Sequence, residues 1–381
     1  MTAMPSMQLL RSLTDEHVLT AVIEHGRLTR AEISATTGIS KPTVSESVRR
    51  LAAADVLVDT GERTTGRGRV GSYYTLSDSV GTAMVVSIRP DGVRAEAVDP
   101  FGRTRSECMV VLDPGAGHDE AARALARAAR GVATGAGPFR LAVVSAADPV
   151  DRATGRLVQL PDAPFLVGDL DPVSVLSPMV AGPVLVDNDV NWAARAEHDA
   201  GPGPMDNFAY LHLGEGLGCA VVVDGDVVRG HSGLAGEVAH LVTVGPEGRA
   251  MPLTEVFARL DLRRSGTTAI DVDRLISGLD QQQPEGLTTL RTLASALSGV
   301  VAAVVVLTDP EQFVLGGPWG RDPRVLDAVT ALLETTARPV TVRATTQTDP
   351  PDHQGARIRG LSELRTNIVT DPKPTLRAPK R

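Results

Sequence analysis

Asn188-Asp189-Val190-Asn191 follows the apolar run Val184–Val186. That order puts two amides and a carboxylate at the C-terminal end of a strand, where the ligand sites of α/β sheets lie. Amides donate and accept while a carboxylate accepts, so the set can grip a hydroxylated ligand. The same residue types also form solvated strand-to-helix turns, with Asn and Asp as turn formers. A second chemistry lies near the N-terminus, where Arg63, Arg67 and Arg69 make a local basic stretch among glycines. Cationic side chains on such a segment suit contacts to a phosphate backbone.

Three helices and a hairpin are expected to carry that basic stretch. Thr14-Asp15-Glu16-His17 reads as the opening of the first, with Val18, Leu19, Val22 and Ile23 at helical spacing and Gly26 as its stop. Thr29-Arg30-Ala31-Glu32 is a capping-box pattern for a short second helix ending at Gly38. Ser40 is placed to cap a third, Ser40–Ala53, with Pro42 in its first turn and Val44, Val48 and Leu51 along one face. Two helices joined by a tight glycine turn form a helix-turn-helix pattern. Val56–Val58 and Tyr73–Leu76 read as strands, and the span Thr60–Gly71 between them is long enough for a wing. On this reading Lys41, Thr43, Ser45 and Arg49 face the major groove, while Arg67 and Arg69 reach phosphate or the minor groove. A small helical protein-interaction module is the alternative, and the basic wing favours DNA.

The charge is distributed to match. The 381-residue chain has a formal net charge of −8, yet residues 1–77 hold nine Lys/Arg against eight Asp/Glu, a net of +1. A near-neutral reader with a basic edge, carried on an acidic body, avoids nonspecific adhesion to nucleic acid. Cys108 and Cys219 stand far apart, which excludes a disulfide framework and a cysteine-built zinc site and fits a reducing compartment. The N-terminal residues lack the pattern of a signal peptide. The longest apolar run, Leu293–Leu307, is interrupted by two serines and reads as a buried helix. A cytoplasmic protein without a membrane partner is expected.

Beyond a short linker, Ser77-Asp78-Ser79, an approximate repeat is visible. Ala83–Ile88, Val93–Val98 and Ser106–Leu112 read as three strands, followed by a helix at His118–Ala133 and a strand at Arg140–Ser145. The pattern returns as Phe208–Leu213, Gly218–Val223 and Val227–Val228, then the helix Leu287–Thr308 and the strand Gln312–Leu315. Two such units form two α/β lobes facing a cleft. The expected division is a reader over 1–77, the two lobes over 80–368, and a Pro- and Lys/Arg-rich disordered tail over 369–381.

Five segments, in order, then identify a resemblance. They are Asp148-Pro-Val-Asp-Arg-Ala-Thr-Gly155, Pro183-Val-Leu-Val-Asp-Asn-Asp-Val-Asn191, Gly214-Glu-Gly-Leu-Gly218, Gly236-Glu-Val-Ala-His240 and Asp309-Pro-Glu-Gln-Phe-Val-Leu-Gly-Gly317. Together they resemble the ROK family (repressors, open reading frames and kinases) of the sugar-kinase/actin superfamily, and the front end looks like its repressor branch. The resemblance implies an α/β fold, a winged helix-turn-helix followed by a two-lobed actin/hexokinase-like (ribonuclease H-like) domain. It also implies that Asn188 and Asp189 hold a sugar, with the Asp taking a proton from the attacking hydroxyl in the kinases. Glu237 and His240 match the family's Glu-x-Gly-His motif with Ala239 for its Gly, and Glu255 falls near a further sugar-contacting Glu.

Departures from the family pattern are equally informative. The family zinc site joins the motif His to three cysteines, and Gly245–Glu255 contains none, so no zinc is expected. The first phosphate turn, Asp-x-Gly-Gly-Thr in the family, is here Ser87-Ile-Arg-Pro-Asp-Gly92, where Pro90 removes an amide donor. The second keeps Gly214, Gly216 and Gly218 but places Glu215 where the kinases have Thr. A carboxylate beside a polyphosphate is repulsive. Neither ATP nor another cofactor is therefore expected. The leading expectation is a sugar-responsive transcriptional regulator, in the repressor mode, that binds double-stranded operator DNA and a sugar or sugar phosphate effector as a homodimer without catalysing phosphorylation. An ATP-dependent sugar kinase is the alternative, with Asp189 in its favour. A DNA-bound protein with a protein effector is a third reading, against which the retained sugar-contact positions argue.

Overall fold

The computed structural model describes residues 7–65, 70–113, 115–160, 168–200, 205–280, 283–347 and 350–372. Its first unit is built from α1 (Met7–His25), β1 (Leu28–Thr29), α2 (Arg30–Thr37), α3 (Lys41–Ala53), β2 (Leu57–Arg63) and β3 (Ser72–Leu76). The three strands pair in the order β1-β3-β2. The capping box at α2 is complete: the Thr29 hydroxyl accepts from the Glu32 amide at 3.3 Å, and the Glu32 carboxylate accepts from the Thr29 amide at 2.8 Å. Gly38 ends α2 in the left-handed conformation, φ 71°, and turns the chain into α3.

Two expectations here need correction. Helix α1 starts at Met7 and not at Thr14. The Thr14 hydroxyl donates to the Leu10 carbonyl one turn back, so it serves the interior of a helix that good helix formers upstream have already nucleated. Ser40 does stand at the N-cap of α3, but its hydroxyl meets Thr43 Oγ1 at 2.8 Å and takes no helix amide. The core is the one the periodicity indicates, with Val18, Leu19, Val22, Ile33, Val44, Val48 and Leu51 buried. The wing strands run longer than expected, and the base of the loop is pinned by Thr64 N–H donating to Gly71 O at 2.9 Å. Arg67 and Arg69 lie outside the described residues.

The first lobe contains β4 (Thr82–Arg89), β5 (Gly92–Val98), β6 (Thr104–Val111), α4 (His118–Ala133), β7 (Phe139–Ala146), α5 (Pro172–Leu176), β8 (Val184–Asn188) and α6 (Asp189–Ala200). Its sheet has the order β6-β5-β4-β7-β8, with an antiparallel meander and two parallel additions. The second lobe contains β9 (Phe208–Leu213), β10 (Leu217–Val223), β11 (Asp226–Val227), β12 (Val242–Val244), β13 (Ala250–Pro252), α7 (Leu253–Arg259), α8 (Val272–Gly278), α9 (Pro284–Thr308), β14 (Gln312–Gly316), α10 (Pro323–Leu333) and β15 (Thr341–Ala344). Its order, β11-β10-β9-β14-β15, repeats the first sheet. The chain then returns to the first lobe as α11 (Pro351–Thr370), packed on α6, β4 and β7.

Helix α9 is long and apolar enough to cross a membrane. It forms the centre of the second lobe, where Leu293, Leu297, Val300 and Val301 are fully buried. Helix α11 is not legible in the sequence, because its first turn is polar and buried rather than apolar. His353 and Asp352 enter it among hydrogen bonds, and one continuous core joins Leu364 and Ile368 of α11 to Val18 and Val22 of α1. The reader is thus seated on the lobe through α1 against α11.

Candidate functional site

A cavity of about 490 Å³ lies between the lobes. Its floor is the β8–α6 junction. Asn188 Oδ1 accepts from the Val190 amide at 2.9 Å, capping α6, while its Nδ2 reaches the carbonyls of Asp148 and Ala146 at 3.3 and 3.4 Å. Asn188 therefore lines the cleft and also ties β7 to β8. Asp189 accepts from the Val190 amide at 2.8 Å and faces the cavity. Burial, with the Asp352 carboxylate nearby, pushes Asp189 up to about 8. Asn191 also borders the cavity, but its Nδ2 is already committed, donating to Asp187 Oδ1 at 2.8 Å, and Asp187 is also held by Arg229.

The opposite wall comes from the second lobe. Gly236, at φ 96°, lets the chain cross β10 so closely that a Cβ there would lie 1.7 Å from the Cys219 carbonyl oxygen. Its own carbonyl accepts from the Cys219 amide at 2.9 Å. This crossing sets Glu237 and His240 on the cavity wall, and burial pushes Glu237 up to about 7. Carboxyls held near neutrality can donate as well as accept, which suits hydroxyl ligands.

Glu255 is the sequence-derived candidate that the structure does not bring to the cleft. On α7, Thr254 and Phe257 line the cavity, while Glu255 is half-exposed and pairs with Arg259 at 3.0 Å. Adjacent helix positions point about 100° apart, so a single-residue offset in the alignment moves a carboxylate off the wall.

Several lining residues are not evident in the sequence. Asp148, Arg89, Asp352, His212, Thr254 and Thr268 all line the cavity. Asp352, in the first turn of α11, accepts from Ser145 Oγ at 2.9 Å and is ion-paired with Arg89. Only Arg89, in the altered first turn, and Asp148, which opens the first family-like segment, have a signal. The other polar residues lie far apart in sequence and converge only through the fold.

Both phosphate turns have the altered chemistry read from the sequence. Arg89, Pro90 and Asp91 line the cavity from the β4–β5 turn. In the β9–β10 turn, the Gly214 amide donates to Gly216 O at 3.1 Å, and Glu215 pairs with Arg264 at 2.5 Å while also lining the cavity. An amide closed within its own turn does not converge on an anion. The zinc position fits no better. His240 is the last residue of the short 3-10 turn Val238–His240, and among the described residues no three His, Cys, Asp or Glu are grouped to hold a metal ion.

On the reader, Lys41, Thr43 and Arg49 are exposed along α3, whereas Ser45 is half-buried. Arg49 is forked onto Glu46, with contacts of 2.6 and 3.1 Å.

The two matched sheets, the interlobe cleft and its strand-end Asn-Asp pair define a protein of the sugar-kinase type, joined to a winged helix-turn-helix. The ROK family model matches residues 136–364, and a winged helix-turn-helix DNA-binding model matches residues 11–58. The chain belongs to the ROK family. It is 30% identical to the glucokinase of Halalkalibacterium halodurans over 35% of this chain and 48% of that one. It is 21% identical to the xylose repressor of Bacillus subtilis over 61% of each. The chain thus spans less than two thirds of either curated relative. A solved ROK family transcriptional regulator, a homolog of the E. coli MLC protein, superposes with a TM-score of 0.64 at 17% identity, covering 94% of this chain and 98% of that one. That likeness establishes the fold over reader and lobes together.

Proposed function

We propose that this protein is a sugar-responsive DNA-binding transcriptional regulator, working as a repressor, whose kinase-derived cleft senses a sugar and does not phosphorylate it. The observation that carries the reading is the selective state of the cleft. Asp189 and Glu237 face a cavity of sugar size, while the flanking phosphate turns present Pro90, Asp91 and Glu215. Asn188, Asp189, Glu237 and His240 form the sugar set in this reading, and Thr254 takes the place proposed for Glu255. Lys41, Thr43, Ser45 and Arg49 of α3, with Arg67 and Arg69, form the DNA set. The relatives named for glucose and xylose put hexoses and pentoses first in any ligand panel. The regulator acts in the cytoplasm as a homodimer, two copies matching a two-fold operator.

The route from cleft to DNA runs along α6 and α11. Asp189 opens α6, Asp352 opens α11, and α11 packs against both α6 and α1. A sugar that favours one closure of the cleft biases the placement of the reader, and linkage makes the effect reciprocal. The test is operator affinity, for a site recovered by in vitro selection, with and without the best sugar from a thermal-shift panel. A change of about 5–150-fold is expected in the wild type and none in Asp189→Ala. Unmoved affinity at saturating sugar discards the switch. Sugar-dependent ADP release, lost in Asp189→Asn, would instead establish the kinase reading that Asp189 favours.

A further inference from the structure

A second pocket of about 200 Å³ lies behind the cleft, between α6, α11 and the β10–β11 hairpin. Arg195, His198 and Asp199 of α6, Arg359 of α11 and Gly225 of the hairpin turn line it, and none of these lines the interlobe cavity. Three of the lining side chains are cationic or can become so. Their counter-charges are unevenly shared. Arg359 is paired with Glu363 at 2.7 Å, and His198 lies 2.9 Å from Asp199 and 3.2 Å from Asp206. Nearby Arg229 is held by Asp187. Arg195 has no ion pair among the described residues, and its buried Nε has no hydrogen-bond partner.

A buried guanidinium N–H without an acceptor is unfavourable, and native structures seldom leave one. Here the cost is increased by neighbours. Burial, then the charges of Arg229 and Arg359, depress the Arg195 pKa, and Asp187 and Asp226 offset them only in part. The guanidinium is also held in place. Its carbon lies 5.8 Å from the Trp192 ring, and Trp192 is anchored by its indole N–H on the Val144 carbonyl at 2.9 Å. A fixed, partly desolvated guanidinium beside a second arginine is the arrangement that recognises a tetrahedral oxyanion through charge-assisted forked hydrogen bonds. The pocket is smaller than sites that enclose whole metabolites, so it has room for a phosphate group and not for a nucleotide.

We propose that this pocket binds a small oxyanion, either inorganic phosphate or the phosphate group of a phosphorylated metabolite, through Arg195 and Arg359. The site is separate from the sugar cleft but shares α6 with it, Arg195 lying six residues after Asp189. An anion here would cross-link α6 to α11, the two helices on which the sugar cleft and the reader meet.

The test is thermal unfolding of the full chain in phosphate-free buffer, titrated with inorganic phosphate against chloride at matched ionic strength. A saturable rise of about 2 °C or more with phosphate and not with chloride is expected. The rise should vanish in Arg195→Gln, weaken at least tenfold in half-saturating concentration in Arg359→Gln, and persist in Asp189→Ala. A hexose 6-phosphate that half-saturates Asp189→Ala at tenfold lower concentration than phosphate assigns the site to a phosphorylated metabolite. Equal concentrations assign it to the free ion. Identical phosphate responses in wild type and Arg195→Gln would overturn the proposal. So would a wild-type response matched by chloride, or loss of the response in Asp189→Ala. If Arg195→Gln does not fold by far-ultraviolet circular dichroism, Arg359→Gln carries the decision, and an unchanged response there overturns it.

Discussion

A single carboxyl illustrates how the cleft is held ready. Asp189 is pushed up to about 8 by burial and by Asp352, against an ordinary value of 3.8. Below about pH 4 it is protonated in both the folded and unfolded chain, and its burial carries no charge penalty. As the pH rises from there towards 8 the unfolded chain ionises while the fold retains the proton, so stability falls, and the full penalty stands above 8. Asp189→Asn should therefore raise unfolding stability by about 1–3 kcal/mol at pH 8.5, with the gain fading near pH 4.5. Denaturant titrations at both pH values check this, and an equal gain at both would remove the charge as its cause. The neighbouring question of Glu255 is also settled by one residue. Glu255→Gln should leave sugar affinity unchanged, whereas Thr254→Val should lower it by about three- to tenfold, the value of one hydrogen bond. Calorimetric titration of both variants with the best sugar distinguishes the two positions.

At the scale of elements, the proposed DNA-binding mode divides the work between α3 and the wing. The exposed face of α3 carries Lys41, Thr43 and Arg49, but Arg49 is engaged by Glu46, so part of its charge is already answered within the helix. The phosphate-binding share should then fall on the wing. Replacing both Arg67 and Arg69 by Ala should weaken binding and flatten the dependence of log affinity on log salt by about 1.8, roughly 0.9 for each phosphate no longer neutralised. An unchanged slope would remove the wing from the interface. These elements are legible because local rules make them: the capping box at Thr29 and Glu32, the glycine stop at Gly38 and the apolar spacing of α3 act over a few residues. The start of α1 is not, because Thr14 has the chemistry of a cap, and only the helix around it shows that its hydroxyl points back to Leu10.

The molecule as a whole presents an apolar surface on its second lobe. From Thr292 to Thr308 helix α9 carries no charged residue, and Val306 and Leu307 are 65% and 81% exposed at its end. Val242 of β12 is 63% exposed, and the same strand is tied to α9 by Thr243 Oγ1 donating to Ala296 O at 2.6 Å. An apolar, charge-free face beside a fully packed one suits the self-association proposed for this reader of a two-fold operator. Leu307→Asp should convert a dimer to a monomer in light scattering at micromolar concentration and weaken operator binding, with sugar binding intact. A wild type that is monomeric under the same conditions contradicts the dimer.

Contiguous residues alone carry the class of the fold, the paired α/β units, the reader and the Asn188-Asp189 corner, since periodicity and turn chemistry act locally. They also carry the altered phosphate turns, because Pro90 and Glu215 stand inside short segments. Which carboxylates share the cleft is a matter of packing. Asp148, Asp189, Glu237 and Asp352 come from four different segments, and the repulsion of Asp189 by Asp352 and Asp148 and the burial of Glu237 exist only once β7, β8, β10 and α11 have come together. The polar first turn of α11 belongs to the same group. Asp352 and His353 look like surface residues in sequence, and they are buried because Arg89, Ser145, Ser87 and Glu96 of the first lobe pair with them. Burial of a polar group depends on partners that sequence spacing does not reveal.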